Sequence, residues 1–178
     1  MFAEVPKSKR NGKEGVRSMS SLSATVEADV KASQVTAFEQ IVPIDLTSIF
    51  TGYGPLPAVT GIQNQVGAWD VAGQTRTVFL SDGSSSQEML TKYQHPSYFS
   101  YTVSGFTGSL GFLTTSANGE WWFSGGPSGH TYIRWRYSFK AWSIFAVPVL
   151  WLITNMLWRG YMRKALQLSK TQIERNPS

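Results

Sequence analysis

The 178-residue sequence contains no cysteine and only two histidines, His95 and His130. The first absence excludes disulfides, thiolate metal sites and a cysteine nucleophile. The second removes the basis for a zinc site built from several imidazoles. The sequence also has no GxGxxG or GKS/T motif, the usual phosphate-binding loops. We therefore expect no metal and no other cofactor.

Charge of either sign is sparse, at 15% of the residues, and the formal net charge of +5 is unevenly placed. Residues 1–18 hold five basic and two acidic residues (+3), which leaves 11 basic and nine acidic residues (+2) for the rest. A nucleic-acid surface needs cations gathered on one folded face, so we expect no nucleic-acid partner.

Residues 1–18 have no apolar segment typical of a secretory signal, and we expect a cytoplasmic protein. We interpret these residues as a disordered basic leader or a cloning remnant. The remaining residues, 19–178, have a suitable length for one domain.

Apolar residues are plentiful, at 42%, and their spacing predicts a strand, two short helices and then a run of strands. Ser33 is a candidate N-cap for the first helix, and Asp45 or Thr47 for the second. The predicted strands cover residues 23–30, 59–66, 74–80, 86–93, 98–106, 120–124 and 130–140. The residues between 107 and 119 are predicted to be less regular.

The last predicted strand has the clearest alternation in the sequence. Trp135 and Tyr137 belong to an aromatic face, and Arg134, Arg136 and Lys140 to a cationic one. This pattern is typical of an antiparallel sheet with one side facing water.

Residues 141–158 contain no formally charged residue, and 18 residues is about the length needed to span a membrane. Pro148, Thr154 and Asn155 interrupt this run, so we reject the membrane-spanning interpretation. From Pro148 onward the apolar residues recur at helical spacing, and cations collect in the later turns, where they suit the helix dipole. We predict a long C-terminal helix gripped by a sheet, and no transmembrane span.

Five short motifs follow one another in the middle of the chain. They are residues 56–59 (LPAV), 73–78 (GQTRTV) and 81–83 (SDG), then Glu88-x-Leu90 and Pro96-x-x-Phe99-x-Tyr101. Their ordered series resembles the START-like or SRPBCC superfamily, in the branch described as polyketide cyclase/dehydrase and lipid transport. The resemblance implies an α+β helix-grip fold, in which a curved antiparallel sheet of about seven strands wraps around a long C-terminal helix, with two short helices after the first strand.

The resemblance also implies a cavity for an apolar small molecule between the concave face of the sheet and the C-terminal helix. Transferred to this sequence, the ligand-binding candidates are Arg76, Phe79, Glu88, Phe99, Tyr101, Val103, Trp121, Trp135, Tyr137, Met156 and Gly160. The alternative is that these side chains fill a solid core, as buried aromatic residues commonly do.

Arg76 and Glu88 lie at equal offsets on either side of the Asp82-Gly83 turn, so they share a sheet face. On the concave face they form a polar anchor for a ligand carbonyl, hydroxyl or carboxylate. On the convex face they form a surface ion pair, and the sequence favours neither arrangement.

Glu88, Tyr101 and Tyr137 are the candidate catalytic residues, because cyclase chemistry needs acid–base groups at the cavity. No nucleophile–base pair accompanies them in the sequence.

Three functions are consistent with these patterns. The first is a non-catalytic carrier or sensor of a lipid, polyketide-like or isoprenoid molecule, and the second is a polyketide cyclase or aromatase. The third is a protein-interaction module that uses the outer sheet face or the basic leader. The cationic face of the last strand also permits transient contact with a membrane surface. No feature of the sequence specifies an oligomeric state.

Overall fold

The computed structural model describes residues 21–175, which form a curved antiparallel sheet and the helices that cover it. Within that range the sheet has seven strands in the order β1-β7-β6-β5-β4-β3-β2. The strands are β1 Ser21–Val30, β2 Val59–Gln63, β3 Thr75–Leu80, β4 Ser85–Gln94, β5 Tyr98–Ser104, β6 Thr114–Gly125 and β7 Thr131–Ala141. The predicted antiparallel sheet is therefore confirmed.

Two short helices separate β1 from β2, as the sequence predicts: α1 Gln34–Ile41 and α2 Leu46–Ile49. The Ser33 hydroxyl caps α1 by accepting from the Thr36 N–H at 3.1 Å. The Asp45 carboxylate caps α2 by accepting from the Thr47 N–H at 2.9 Å. Such oxygen acceptors satisfy backbone donors that a helix N-terminus leaves unpaired, so the local sequence fixes both starting points.

The long C-terminal helix consists of α3 Val147–Leu152, a π-helical segment Ile153–Trp158 and α4 Arg159–Arg175, which follow one another directly. Within the π-helical segment, the Thr154 hydroxyl donates to the Leu150 carbonyl at 2.7 Å. A side-chain bond of this kind competes with the regular backbone ladder and accompanies local distortion of a helix. The helix confirms the prediction, and none of the helices within residues 21–175 is long and apolar enough to cross a membrane.

The start of β6 differs from the prediction, because the strand begins at Thr114 and includes the Asn118-Gly119 pair. Asn-Gly is usually a hairpin signal, but here Gly119 pairs with Tyr101 on β5 and with Tyr137 on β7. A Cβ atom at Gly119 would lie 2.2 Å from Cζ of Tyr101. The glycine therefore allows the Tyr101 ring to cross the strand, which is a known use of glycine inside a sheet.

One end of the concave face is filled by stacked aromatic rings. The rings of Trp121 and Trp135 lie 4.4 Å apart at 14°, and Phe99 stacks on Trp121 at 5.7 Å. Phe38 of α1 closes this layer with edge-to-face contacts to Phe99 and Phe123. Such offset and edge contacts stabilise an aromatic core beyond the effect of area alone.

Gly119→Ala tests this packing. We expect it to lower the free energy of unfolding by about 1–3 kcal/mol, because the new methyl group must displace the buried Tyr101 ring. Gly61→Ala on β2 is the control, since a Cβ there meets no atom within 4 Å. We expect the control to change the stability by less than about 0.5 kcal/mol. Urea unfolding measures both, and equal stability of the two variants would contradict the contact.

Candidate ligand cavity

A cavity lies between the concave face of the sheet, α2 and the C-terminal helix. Its volume is about 80 Å³, well above the roughly 10–15 Å³ that one water needs. Its walls are mostly apolar and consist of Leu46, Phe50, Leu56, Pro57, Val59, Val78, Leu80, Ser86, Glu88, Tyr101, Val103, Phe106, Leu110, Tyr137, Trp158 and Tyr161. The interior is therefore not a solid core at this end of the sheet.

A second, outer cavity of about 270 Å³ adjoins the first. The two share five wall residues, which are Leu56, Pro57, Leu80, Phe106 and Leu110. The outer cavity extends to Leu113 and to Ile153 and Leu157 of the π-helical segment. The inner cavity thus continues towards the loop after β5 and the first half of the C-terminal helix.

Arg76 and Glu88 form a buried ion pair on the concave face. They are directly opposite each other on β3 and β4, with exposed fractions of only 5% and 9%. Arg76 Nε and Nη2 each lie 2.7 Å from Oε2 of Glu88. The Arg76 guanidinium also lies 4.0 Å from the ring centre of Trp69, so a cation–π contact supports its charge.

Glu88 lines two separate spaces in the interior. It lines the inner cavity, and with Arg76 it also lines a smaller space of about 30 Å³ next to Phe99, Tyr101 and Trp121. The choice between concave and convex faces, open from sequence, is therefore resolved in favour of the cavity.

Tyr101 and Tyr137 also line the inner cavity. Burial is the main cause that raises the pKa of Tyr101, and the nearby Glu88 charge raises it further. Burial raises the pKa of Tyr137 well above its usual value, with Tyr101 and Glu88 contributing. Both hydroxyls are therefore protonated at neutral pH, so they can donate hydrogen bonds to a ligand oxygen.

The residues predicted from sequence divide into three groups. Glu88, Tyr101, Val103 and Tyr137 line the inner cavity, and Arg76, Phe99 and Trp121 border the smaller space. Trp135 is fully buried in the stack with Trp121. Phe79, Met156 and Gly160 lie elsewhere and are corrected as follows.

Phe79 lies on the opposite face of β3 from the cavity. Side chains alternate along a strand, and here Val78 and Leu80 line the inner cavity. The prediction that Phe79 lines the cavity is therefore wrong, and Val78 and Leu80 line it instead.

The two predicted helix residues, Met156 and Gly160, do not line the cavity either. Met156 is 65% exposed. Trp158 and Tyr161 line the cavity instead. Gly160 lies under the Tyr53 ring, where a Cβ would come within 2.4 Å of Tyr53 Cζ. Its missing side chain accommodates Tyr53, not a ligand.

Several wall residues were missed from the sequence. Ser86 shares the parity of Glu88 on β4, so strand alternation was sufficient to find it. Trp158 and Tyr161 follow Thr154 at spacings of four and three, which is the inward repeat of the helix. The Tyr161 hydroxyl donates to the Pro57 carbonyl at 2.7 Å and thereby fixes the loop after α2 to the helix.

An antiparallel sheet that grips a long helix, with an apolar cavity between them, defines a ligand-binding domain of the helix-grip type. The family described as "Polyketide cyclase / dehydrase and lipid transport" matches residues 19–174. The chain belongs to this family, within the START-like or SRPBCC superfamily.

Solved structures show the same fold at low sequence identity. Norcoclaurine synthase from Thalictrum flavum, a point mutant in complex with a transition-state analogue, has a TM-score of 0.62 at 11% identity, over 88% of this chain and 97% of that one. Ara h 8.0201 has a TM-score of 0.61 at 14% identity, over 88% and 100%. XoxI from Bacillus cereus has a TM-score of 0.59 at 14% identity, over 85% and 94%. No curated protein matches the chain significantly.

Breaking the ion pair tests its burial. We expect Arg76→Ala to lower the free energy of unfolding by about 3–5 kcal/mol, because the Glu88 carboxylate is left buried without its partner. Arg134→Ala is the matched control, since Arg134 Nε lies 3.7 Å from Glu27 Oε1 and both side chains are half-exposed. The control should cost less than about 1 kcal/mol.

Urea unfolding of both variants measures this difference. The double variant Arg76→Met/Glu88→Leu should recover most of the loss, since it leaves no unpaired charge. A loss for Arg76→Ala no greater than for Arg134→Ala would contradict the burial.

The tyrosines predict a loss of stability at alkaline pH. Burial raises the pKa of Tyr161 to about 12, whereas the unfolded chain has a value of about 10. Between these values the folded protein binds more protons than the unfolded chain, so stability falls as the pH rises through this interval. We expect a smaller fall for Tyr161→Phe, as measured by urea unfolding at about pH 9 and about pH 11. Identical pH slopes for both proteins would contradict the shift.

Proposed function

We propose that this protein is a non-catalytic carrier or sensor of an apolar small molecule with a polar end group, such as a lipid, a polyketide-like aromatic or an isoprenoid. The observation that carries the proposal is the apolar cavity with one charged residue in its wall, Glu88. Binding sites for small molecules typically combine an apolar lining with a few fixed polar groups.

The polar groups of the inner cavity can fix one end of such a ligand. The Glu88 carboxylate can accept a hydrogen bond from a ligand hydroxyl, and its position is fixed by Arg76. The hydroxyls of Tyr101 and Tyr137 can donate to a ligand carbonyl or hydroxyl. The ligand would therefore place its oxygen-bearing end near β4 and β5.

Trp158 adds an unsatisfied donor to the same wall. Its indole N–H is buried and has no hydrogen-bond partner in the part of the chain that the structure describes. A buried donor without an acceptor costs roughly 1–3 kcal/mol. A ligand oxygen that reaches this nitrogen would offset that cost.

The two cavities together would hold a ligand with its polar end in the inner space. The inner space of about 80 Å³ suits a compact polar head with its first carbons. The outer space of about 270 Å³ has mostly apolar walls that include Leu113, Ile153 and Leu157, with Asp82 and four hydroxyl residues beside them, and suits an apolar tail. We infer a ligand whose polarity is concentrated at one end.

A cyclase or aromatase is the second candidate, because Glu88, Tyr101 and Tyr137 border the same space. Two features favour binding over turnover. Arg76 binds Oε2 of Glu88 through two nitrogens, so this carboxylate oxygen is already engaged within the protein. The raised pKa values of both tyrosines keep them protonated at neutral pH, so neither is available as a general base, whereas efficient general bases titrate near the working pH.

Native mass spectrometry of the purified protein, followed by organic extraction, tests the carrier. We expect a stoichiometric apolar adduct that is absent from Val103→Trp, because an indole at this position fills the inner cavity. Val71→Trp is the control, since Val71 is exposed. We expect Val103→Trp to weaken binding of an apolar fluorescent probe by about tenfold or more, and the control to leave it unchanged.

Two outcomes would contradict the carrier. One is an apo mass together with probe affinity that Val103→Trp does not alter. The other is turnover of an enolisable polyketide mimic that Glu88→Gln abolishes while the variant remains folded, which would favour the cyclase.

A further inference from the structure

An exposed apolar surface surrounds the beginning of the C-terminal helix. Its members, which we call the apolar end, are large side chains that face solvent: Phe112, Trp142, Ile144, Phe145, Trp151 and Leu152. Phe145 is 88% exposed and occupies a 3₁₀ turn, Ile144–Ala146, that projects from the end of β7. Clustered exposed apolar residues of this size mark a binding surface more often than chance.

The apolar end is one connected surface. The Trp142 N–H donates to the Leu113 carbonyl at 3.0 Å, which holds the Phe112 segment beside the end of β7. From there the chain enters α3, which buries Leu150 and presents Trp151 and Leu152 outward. The helix is therefore apolar on both its inner and its outer side at this end.

The same surface borders the outer cavity. Phe112 and Leu152 directly precede Leu113 and Ile153, which line that cavity. An apolar molecule that leaves the cavity by this side would meet the apolar end before it met water.

The part of the sequence that carries most of the apolar end is basic, and Asp82 is the acidic residue in the wall of the adjoining outer cavity. Between Glu120 and Glu174 the sequence has seven basic residues and no acidic one. Lys140, two residues before Trp142, is exposed. A second copy of this chain would bring the same cations against themselves, which disfavours self-association through this surface.

We propose that the apolar end docks on an anionic lipid bilayer, inserting its aromatic side chains at the headgroup level. Trp is enriched at that depth of a membrane, and basic side chains attract anionic headgroups. A helix with apolar residues on its outer side, flanked by cations, lies in the interface without spanning the bilayer. Protruding side chains suit a lipid surface, which needs no complementary pocket.

Docking of this kind is independent of what the cavity holds. It goes beyond the proposed function. In the docked protein, the side of the molecule that holds the outer cavity would face the bilayer. An apolar ligand would then exchange between membrane and cavity with little exposure to water.

Vesicle co-sedimentation of the full chain tests the docking. We expect binding to phosphatidylcholine vesicles that contain phosphatidylglycerol, and weaker binding to pure phosphatidylcholine or at high salt. Trp142→Ser/Phe145→Ser should weaken binding by about tenfold or more, because it removes two large apolar groups from the inserted surface. Val66→Ser/Val71→Ser is the matched control, since both valines are exposed outside the apolar end, and it should bind as the unchanged protein does.

The variants also separate docking from the carrier function. Val103→Trp should lose the apolar probe and keep vesicle binding, whereas Trp142→Ser/Phe145→Ser should keep the probe and lose the vesicles. Absence of binding to phosphatidylglycerol vesicles would overturn the proposal. Binding that the Trp142→Ser/Phe145→Ser variant leaves unchanged, or formation of a stable dimer that this variant abolishes, would overturn it as well.

Discussion

The ion pair between Arg76 and Glu88 is the constraint around which the interior is organised. A charge taken out of water is costly unless it is paired at close range and its remaining contacts are satisfied. Here the guanidinium contacts one carboxylate oxygen at 2.7 Å through two nitrogens and lies over the Trp69 ring. The pair joins β3 to β4 and fixes a polar point inside walls that are otherwise apolar. The cavity therefore has a charged group at one end and mostly apolar walls at the other.

The cavity itself arises from an uneven distribution of side-chain size along the concave face. Towards α1, the stacked rings of Phe99, Trp121 and Trp135 fill the space between sheet and helix. Towards β3 and β4, the inward positions are occupied by smaller residues such as Val78 and Ser86. Since the backbone curvature is shared by both ends, the smaller side chains leave the space unfilled. Aromatic packing therefore provides rigidity beside a cavity that it does not occupy.

Much of the fold was accessible from sequence because the deciding signals were local. The caps at Ser33 and Asp45 and the alternation of the last strand each depend on a few neighbouring residues. The Arg76–Glu88 pair was predicted by the same parity argument, although its face was not, because the face depends on how the whole sheet curves. Its burial could be established only by the three-dimensional arrangement.

The errors share a physical origin in long-range contacts. The family resemblance implies a cavity position for Phe79, whereas β3 turns its neighbours Val78 and Leu80 in that direction. Gly119 resembles a turn residue, but its role is to make room for a ring on another strand. Met156 was chosen on helical spacing, which does not show which side of the helix meets the sheet. In each case a tertiary contact overrides the local pattern.

The π-helical segment Ile153–Trp158 joins two halves of one helix that face different environments. In an α-helix each residue turns the chain by about 100°. If the same residues formed a regular α-helix, everything before this segment would rotate by about that angle relative to α4. Trp151 and Leu152 would then face another direction while Trp158 kept its contact with Tyr137. The wider π-helical turn therefore sets which side of each half of the helix faces the sheet. One continuous helix can then line the cavity with its second half and expose apolar residues on its first.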